Sequence, residues 1–271
     1  MKIEAAELRL ISLPLKFRFE TSFGVQTERH IVVLTLYGEG LEGYAETVME
    51  HTPHYREETI AGAWALLEHL LLPSVLGQDI ANPEALWAII SPYRGNKMTK
   101  AALEMAYWDL WCKSLNAPLW KVLGGVRTEI PVGISLGIEP SIESTVEKVG
   151  KGLEQGYKRV KLKIKPGWDV KMLMAVREAY PDANLTVDAN SSYTLNHTST
   201  FRQMDAARLD YIEQPLAFDD ILDHAKLQRE ISTSLCLDES ITSPEDARKA
   251  LEIGAGRVIN LKPGRVGGIL A

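Results

Sequence analysis

RVKLKIKPGWDVKMLMAVREAYPDANLTVD, residues 159–188, opens and closes on short apolar runs that each end in a charge, Lys163 and Asp188. A segment of helical length lies between them. Strand, helix, strand is the βαβ unit, because a parallel strand needs a crossover before its neighbour can start. Working outward, the same pattern recurs: VGIS ends at Ser135, DYIE at Glu213, LCLD at Asp238 and VINLK at Lys262. The end residues 163, 188, 213, 238 and 262 repeat at about 25 residues, room for one strand, one helix and two short loops. Helical stretches at Ser141–Gln155 and Pro244–Ile253 fit between the strands. Such a series forms either a (β/α)8 barrel or an open doubly wound sheet.

Upstream the rhythm differs. Ile3–Leu13 reads as extended, Phe17–Gly24 as a loop of aromatic and small polar residues, and Ile31–Tyr37 and Gly43–Met49 as strands around the turn Gly38-Glu39-Gly40. From Glu57 the period becomes helical. Leu103, Ala106, Tyr107 and Leu110 form one apolar face of a helix over Lys97–Leu115, which Asn116-Ala117-Pro118 ends. The sequence predicts two domains: an α+β N-terminal domain over 1–125 and a (β/α) domain over 126–271.

With 271 residues, 45% hydrophobic, the chain can bury a large core. A net charge of −6 without acidic or basic blocks gives no electrostatic reason to bind nucleic acid or an anionic membrane. No apolar run approaches the roughly 20 residues that span a bilayer. MKIEAAELRL alternates like a strand and lacks the apolar core of a signal peptide. Cys112 and Cys236 are far apart and lack metal-ligand spacing, so a reducing cytoplasm is the expected setting.

The charges at the strand ends carry the chemistry. In a barrel these ends converge on one mouth, where active sites sit. A single strand-end Asp is commonly a helix cap. Lys163, Asp188, Glu213, Asp238 and Lys262 in register are another matter, because isolated charges beside an apolar core cost several kcal/mol each unless paired or ion-bound. Three converging carboxylates call for a hard divalent cation, and all-oxygen ligation favours Mg²⁺, with Mn²⁺ as the alternative. Lys161 and Lys163 alternate with Leu162 and share one face. A cation with a lysine on either side suits removal of a proton next to a carboxylate. A lysine acting as base must be held neutral, which a neighbouring cation favours; Lys161 stands beside Lys163 and Arg265 beside Lys262 in this way.

KLKIKPGWD (161–169), VDANSSY (187–193), YIEQPL (211–216), CLDES (236–240) and NLKPGRVGG (260–268) resemble the muconate-lactonizing branch of the enolase superfamily. PLKFRFETSFG (14–24) and YRGNKMTKAALEMAYWDLW (93–111) extend the likeness over essentially the whole chain, closest to the o-succinylbenzoate synthase and N-acylamino acid racemase group. The resemblance implies a (β/α)8-type TIM barrel behind an α+β capping domain. It implies Mg²⁺ on Asp188, Glu213 and Asp238, acid/base lysines Lys163 and Lys262, and Lys161 as their electrostatic helper facing a small-molecule carboxylate substrate. Asn190, Phe23, Tyr55 and Ser135 become expected substrate contacts, with Phe19 equally suited to core packing, and Arg265 and Glu239 support the site. The implied reactions are dehydration to o-succinylbenzoate in menaquinone synthesis and racemization of N-acyl or N-succinyl amino acids, both through a metal-stabilised enediolate. Dipeptide epimerase and muconate cycloisomerase are the alternatives within the superfamily. Full members of that group run on for roughly a hundred residues more. The chain therefore reads as a barrel of about six βα units, so either it is a fragment or a partner subunit covers the open side, with a homo-oligomer expected; an inactive truncated oligomer is the non-enzymatic alternative.

Overall fold

The computed structural model describes residues 1–271. They group into two compact units, one made of Met1–Pro14, Glu28–Thr128 and Lys262–Ala271, the other of Leu15–Thr27 and Glu129–Leu261. Besides a boundary at 128 rather than 125, this grouping differs from the 1–125/126–271 division in two segments. Residues Leu15–Thr27 join the second unit, and Lys262–Ala271 join the first.

β1 (Ala5–Thr21), β2 (Gly24–Gly38) and β3 (Leu41–Glu46) form a sheet in the order β1-β2-β3, of which the first unit holds β1 up to Pro14, β2 from Glu28 and all of β3. β2 and β3 pair antiparallel from Val33↔Glu46 to Gly38↔Leu41, around the two-residue turn Glu39-Gly40 with φ of 53° and 76°. Both turn residues have positive φ, the geometry that matches the twist of the flanking strands. β1 corrects the expected Phe17–Gly24 loop, since the strand continues to Thr21 and the chain turns only at Ser22-Phe23. Phe17 and Phe19 alternate with Arg18 and Glu20, a strand period on a ribbon tip whose Phe17 is exposed.

Helices follow: α1 (Ile60–Leu66), which runs through a π-helical turn at Leu67–Leu71 into α2 (Leu72–Val75), then α3 (Pro83–Ile90) and α4 (Lys97–Ser114). Glu58 caps α4, accepting from the amides of Met98 and Thr99 at 2.7 and 2.8 Å. Leu103, Ala106, Tyr107 and Leu110 are fully buried with Leu34, Leu36, Leu67, Leu71, Leu86 and Ile90. α4 lies so close to β3 that a Cβ at Gly43 would meet the Ala106 carbonyl at 2.3 Å, so only glycine fits there. A short helix, α5 (Leu119–Val122), leads out of the unit.

The second unit holds β4 (Gly133–Leu136), α6 (Ile142–Glu154), β5 (Arg159–Lys163), α7 (Val170–Ala179), β6 (Leu185–Asp188), α8 (Thr198–Met204), β7 (Ile212–Glu213), α9 (Leu222–Glu230), β8 (Leu235–Leu237), α10 (Pro244–Glu252) and β9 (Val258–Ile259). α11 (Pro263–Val266) belongs to the first unit. The six strands are parallel and lie in chain order, β4 to β9. A doubly wound sheet would reverse its order at a switch point. Unbroken order is the arrangement of barrel strands, so of the two architectures open at sequence level this is the TIM-barrel type.

The period-two pleat separates the two faces. Val160, Leu162, Leu185, Val187, Ile212 and Leu235 are buried in one cluster with Leu173 and Val176 of α7 and Phe201 of α8. Each such side chain contributes about 1.5–3 kcal/mol on burial. Lys161, Lys163, Asp188 and Glu213 occupy the alternate positions and face the other side. Helix starts are specified locally: Ser141 and Ser144 form a capping box on α6, and Ser243 caps α10 ahead of Pro244. No helix is long and apolar enough to cross a membrane.

Candidate active site

Register places the charges in one row. Lys163 pairs with Asp188 across β5 and β6, and Asp188 with Glu213 across β6 and β7. Asp238 follows directly after β8. Lys262 departs from its expected place at a strand end: β9 stops at Ile259, and Lys262 is the residue before α11, grouped with the first unit.

Within the second unit Asp188, Glu213 and Asp238 are almost fully buried. Lys161 Nζ donates to both Glu213 carboxylate oxygens at 3.0 Å and lies 3.2 Å from Asp188 Oδ2. Lys163 Nζ donates to the same Asp188 oxygen at 2.7 Å and to Asn190 Oδ1 at 2.6 Å. Asn190 in turn donates from its amide to Asp188 Oδ1 at 3.0 Å, and from Nδ2 to Glu239 Oε1 at 3.1 Å. Asn190 therefore joins the predicted base, a predicted ligand and Glu239. The backbone is contorted here: Asn190, Ser191 and Gln214 have φ of 43°, 63° and 34°. Left-handed non-glycine residues are uncommon and gather where surrounding structure over-determines them, often at functional sites.

Burial pushes the Glu213 carboxyl up to about 7, with Asp188 and Asp238 adding to the effect and Lys161 opposing it. Burial would raise Asp188 too, but the ammonium groups of Lys163 and Lys161 and the hydrogen bonds from Lys163 and Asn190 outweigh it and hold Asp188 below its usual value. Three buried carboxylates thus share two ammonium groups, and the shortfall of positive charge falls on Glu213. These side chains do not close a ligand shell of their own, because the Lys161 ammonium stands between Asp188 and Glu213. Their chemistry nevertheless fits a hard divalent cation: the donors are all oxygen, they are buried, and one is destabilised as an anion by burial and by its acidic neighbours.

Two residues that sequence reasoning missed support the carboxylates. Asn260 Nδ2 donates to Glu213 Oε1 at 2.8 Å and to Asp238 Oδ2 at 3.4 Å. Gln214, fully buried, accepts at Oε1 from the Asp238 amide at 2.9 Å. Asn260 stands two residues before Lys262 and Gln214 directly after Glu213, positions a strand-end scan for charges passes over.

Of the expected substrate contacts, Ser135 is exposed and in register with Lys161, and Phe23 lies half-buried at the ribbon tip, where its neighbour Ser22 donates to the Asn190 carbonyl at 3.3 Å. Phe19, beside them, is half-buried. In the first unit, Lys262 Nζ donates to the Tyr55 hydroxyl at 3.1 Å and lies 4.7 Å from the ring centroid. Arg265, almost fully buried, donates to the same hydroxyl at 3.0 Å. His51 and His54 are exposed.

Comparison with known proteins accords with this geometry. Residues 5–124 match the family model for the mandelate racemase/muconate lactonizing enzyme N-terminal domain, and residues 144–271 the enolase C-terminal domain-like model. The chain is 65% identical to the N-succinylamino acid racemase of Thermus thermophilus, over 99% of its own length and 73% of that protein's. It is 46% identical to the o-succinylbenzoate synthase of Geobacillus kaustophilus, over 99% and 72%. Among solved structures, a dipeptide epimerase from Enterococcus faecalis, complexed with Mg and a dipeptide, is similar at a TM-score of 0.90 and 26% identity, over 99% of this chain and 76% of that one.

Proposed function

Because the chain belongs to the mandelate racemase/muconate lactonizing enzyme family of the enolase superfamily, we propose that it removes the α-proton of a small carboxylate substrate. On this reading it racemizes N-succinyl or other N-acyl amino acids and also acts as an o-succinylbenzoate synthase. The relatives at 65% and 46% identity, over nearly the full chain, support the pair of reactions. The observation that carries the chemistry is the row Lys163–Asp188–Glu213, where a buried lysine meets a carboxylate set short of positive charge.

Asp188, Glu213 and Asp238 would hold Mg²⁺ or Mn²⁺. Such an ion supplies the positive charge that stabilises an enediolate and so acidifies the α-proton. Lys163 Nζ, acting as the neutral amine, takes that proton, and the C–H electron pair passes into the substrate carboxylate. Lys161 adds positive charge beside Glu213 and towards the substrate carboxylate, and Asn190 fixes the position of Lys163. In racemization a second lysine, Lys262, returns a proton to carbon. In dehydration the electron pair expels the β-hydroxyl, which Lys163 protonates so that it leaves as water. Tyr55, Phe23 and Ser135 contact substrate in this proposal; Arg265 supports Lys262 through Tyr55, and Glu239 supports Asn190.

A reducing, cytoplasmic setting and self-association belong to the same proposal. They are supported by two buried free thiols and by the exposed apolar side chains Trp120, Leu123 and Val126. The test is to supply Mg²⁺ and one enantiomer of an N-succinyl amino acid and follow optical activity, with dehydration assayed in parallel. Loss of optical activity with product formation in the second assay supports both reactions; dehydration alone removes the racemase.

A further inference from the structure

Gln214 is a fully buried, uncharged side chain with no part in the chemistry above, yet every polar atom it has is engaged. Oε1 accepts from the Asp238 amide at 2.9 Å, the Ser240 amide at 3.3 Å and the Ser240 hydroxyl at 3.1 Å. Nε2 donates to the carbonyls of Ala217 at 3.1 Å and Leu216 at 3.4 Å. Its backbone reaches both neighbouring strand ends: its carbonyl accepts from the Ser191 amide at 2.8 Å, and its own amide donates to the Cys236 carbonyl at 2.8 Å. One residue therefore ties together the segments after β6, β7 and β8. Those three segments carry or directly follow Asp188, Glu213 and Asp238.

Its backbone bears a cost for this. A φ of 34° is outside the range a non-glycine residue adopts freely, and strain of that kind persists only when the surroundings impose it. A buried amide satisfied at both ends supplies such an imposition, because breaking either end leaves backbone groups unpaired in the interior.

We infer that Gln214 is the positioning residue of the carboxylate set, holding the Glu213 and Asp238 segments at the separation a divalent cation requires. It acts through the backbone, so it sets cation affinity without being a ligand. The inference rests on Asp188, Glu213 and Asp238 being the cation ligands.

The test is Mn²⁺ binding by the full chain, read from the electron paramagnetic resonance of free Mn²⁺, beside far-UV circular dichroism and thermal unfolding in EDTA. Gln214→Leu is expected to bind at least about tenfold more weakly than wild type while keeping the wild-type spectrum. A lower melting temperature with unchanged Mn²⁺ affinity would mean a merely structural role and overturn the inference. If the leucine variant does not fold, Gln214→Asn carries the test, since it keeps an uncharged amide that is one methylene too short to reach both sets of partners. It is expected to bind Mn²⁺ at least about tenfold more weakly than wild type, and affinity within about threefold of wild type would overturn the inference. A wild-type chain that binds no Mn²⁺ would remove the cation-site reading and this inference with it. Wild-type binding matched by the leucine variant removes the inference alone.

Discussion

Lys163 and Asp188 are direct partners twice over: they face each other in register across β5 and β6, and the lysine Nζ donates to the aspartate Oδ2 at 2.7 Å. A lysine tied only to a carboxylate would be a structural ion pair. This one shares its carboxylate with Lys161, beside a Glu213 whose carboxyl is pushed up to about 7 by burial and by its acidic neighbours. On the proposed function, the pair is one corner of the site that would hold the cation.

Lys163→Ala is therefore expected to lower turnover by roughly 10²–10⁴-fold, the range for loss of a positioned acid/base group. Calorimetric titration with Mg²⁺ should show affinity close to wild type, because the carboxylates remain. Loss of cation binding together with turnover would instead make Lys163 part of the framework of the carboxylates.

Lys262→Ala separates the two reactions. In the proposed mechanism racemization needs a second proton donor, whereas dehydration uses Lys163 for both proton transfers, so the variant should lose racemization while retaining measurable dehydration. Enantiomer ratios and dehydration rates of one preparation decide it. Equal loss of both activities would contradict the division of labour.

His224 gives a pH signature away from the site. It is fully buried, accepts from the Leu216 amide at Nε2 at 3.3 Å, and so carries its proton on Nδ1 towards Asp220 Oδ2 at 3.1 Å. Burial lowers its pKa from 6.5 despite the opposing pull of Asp220. Between the lowered native value and 6.5 this imidazole binds more protons in the unfolded chain than in the native one, so its own contribution to stability rises with pH through that window and levels off above it. Glu213, raised to about 7, contributes the opposite slope over the same range, so the signature of His224 is a difference: in urea unfolding from pH 5 to 8, stability should rise less, or fall more, with pH in His224→Gln than in wild type. An identical slope in the variant would assign it to other groups.

Arg177 tests the framework. Its almost fully buried guanidinium donates to the carbonyls of Tyr180, Pro181, Ala183, Ala207 and Arg208. Arg177→Leu strands those acceptors, and a loss on the order of 3–5 kcal/mol is expected in urea unfolding. A loss under about 1 kcal/mol would mean that water replaces the guanidinium without cost.

Much of this was legible because strand pleating writes itself into sequence. Lys161, Lys163, Asp188 and Glu213 alternate with the apolar residues that pack on the helices, so period two exposed both the core and the polar row. Phe17–Thr21 was misread because an exposed ribbon tip has no buried face to impose an apolar pattern. Lys262 was placed at a strand end because NLK continues the apolar run, whereas β9 pairs only through Val258 and Ile259. Gln214 and Asn260 stayed hidden for another reason. Amides act by hydrogen bonds to whatever the fold brings near, and neither charge nor periodicity marks that in advance.

The central claim is abstraction of an α-proton, and isotope exchange observes it without depending on which product forms. Wild-type chain with Mg²⁺ and a single enantiomer of an N-succinyl amino acid in D₂O should incorporate deuterium at the α-carbon, followed by proton NMR, and should stop on addition of EDTA. No α-deuterium in a chain shown to bind Mg²⁺ would contradict it.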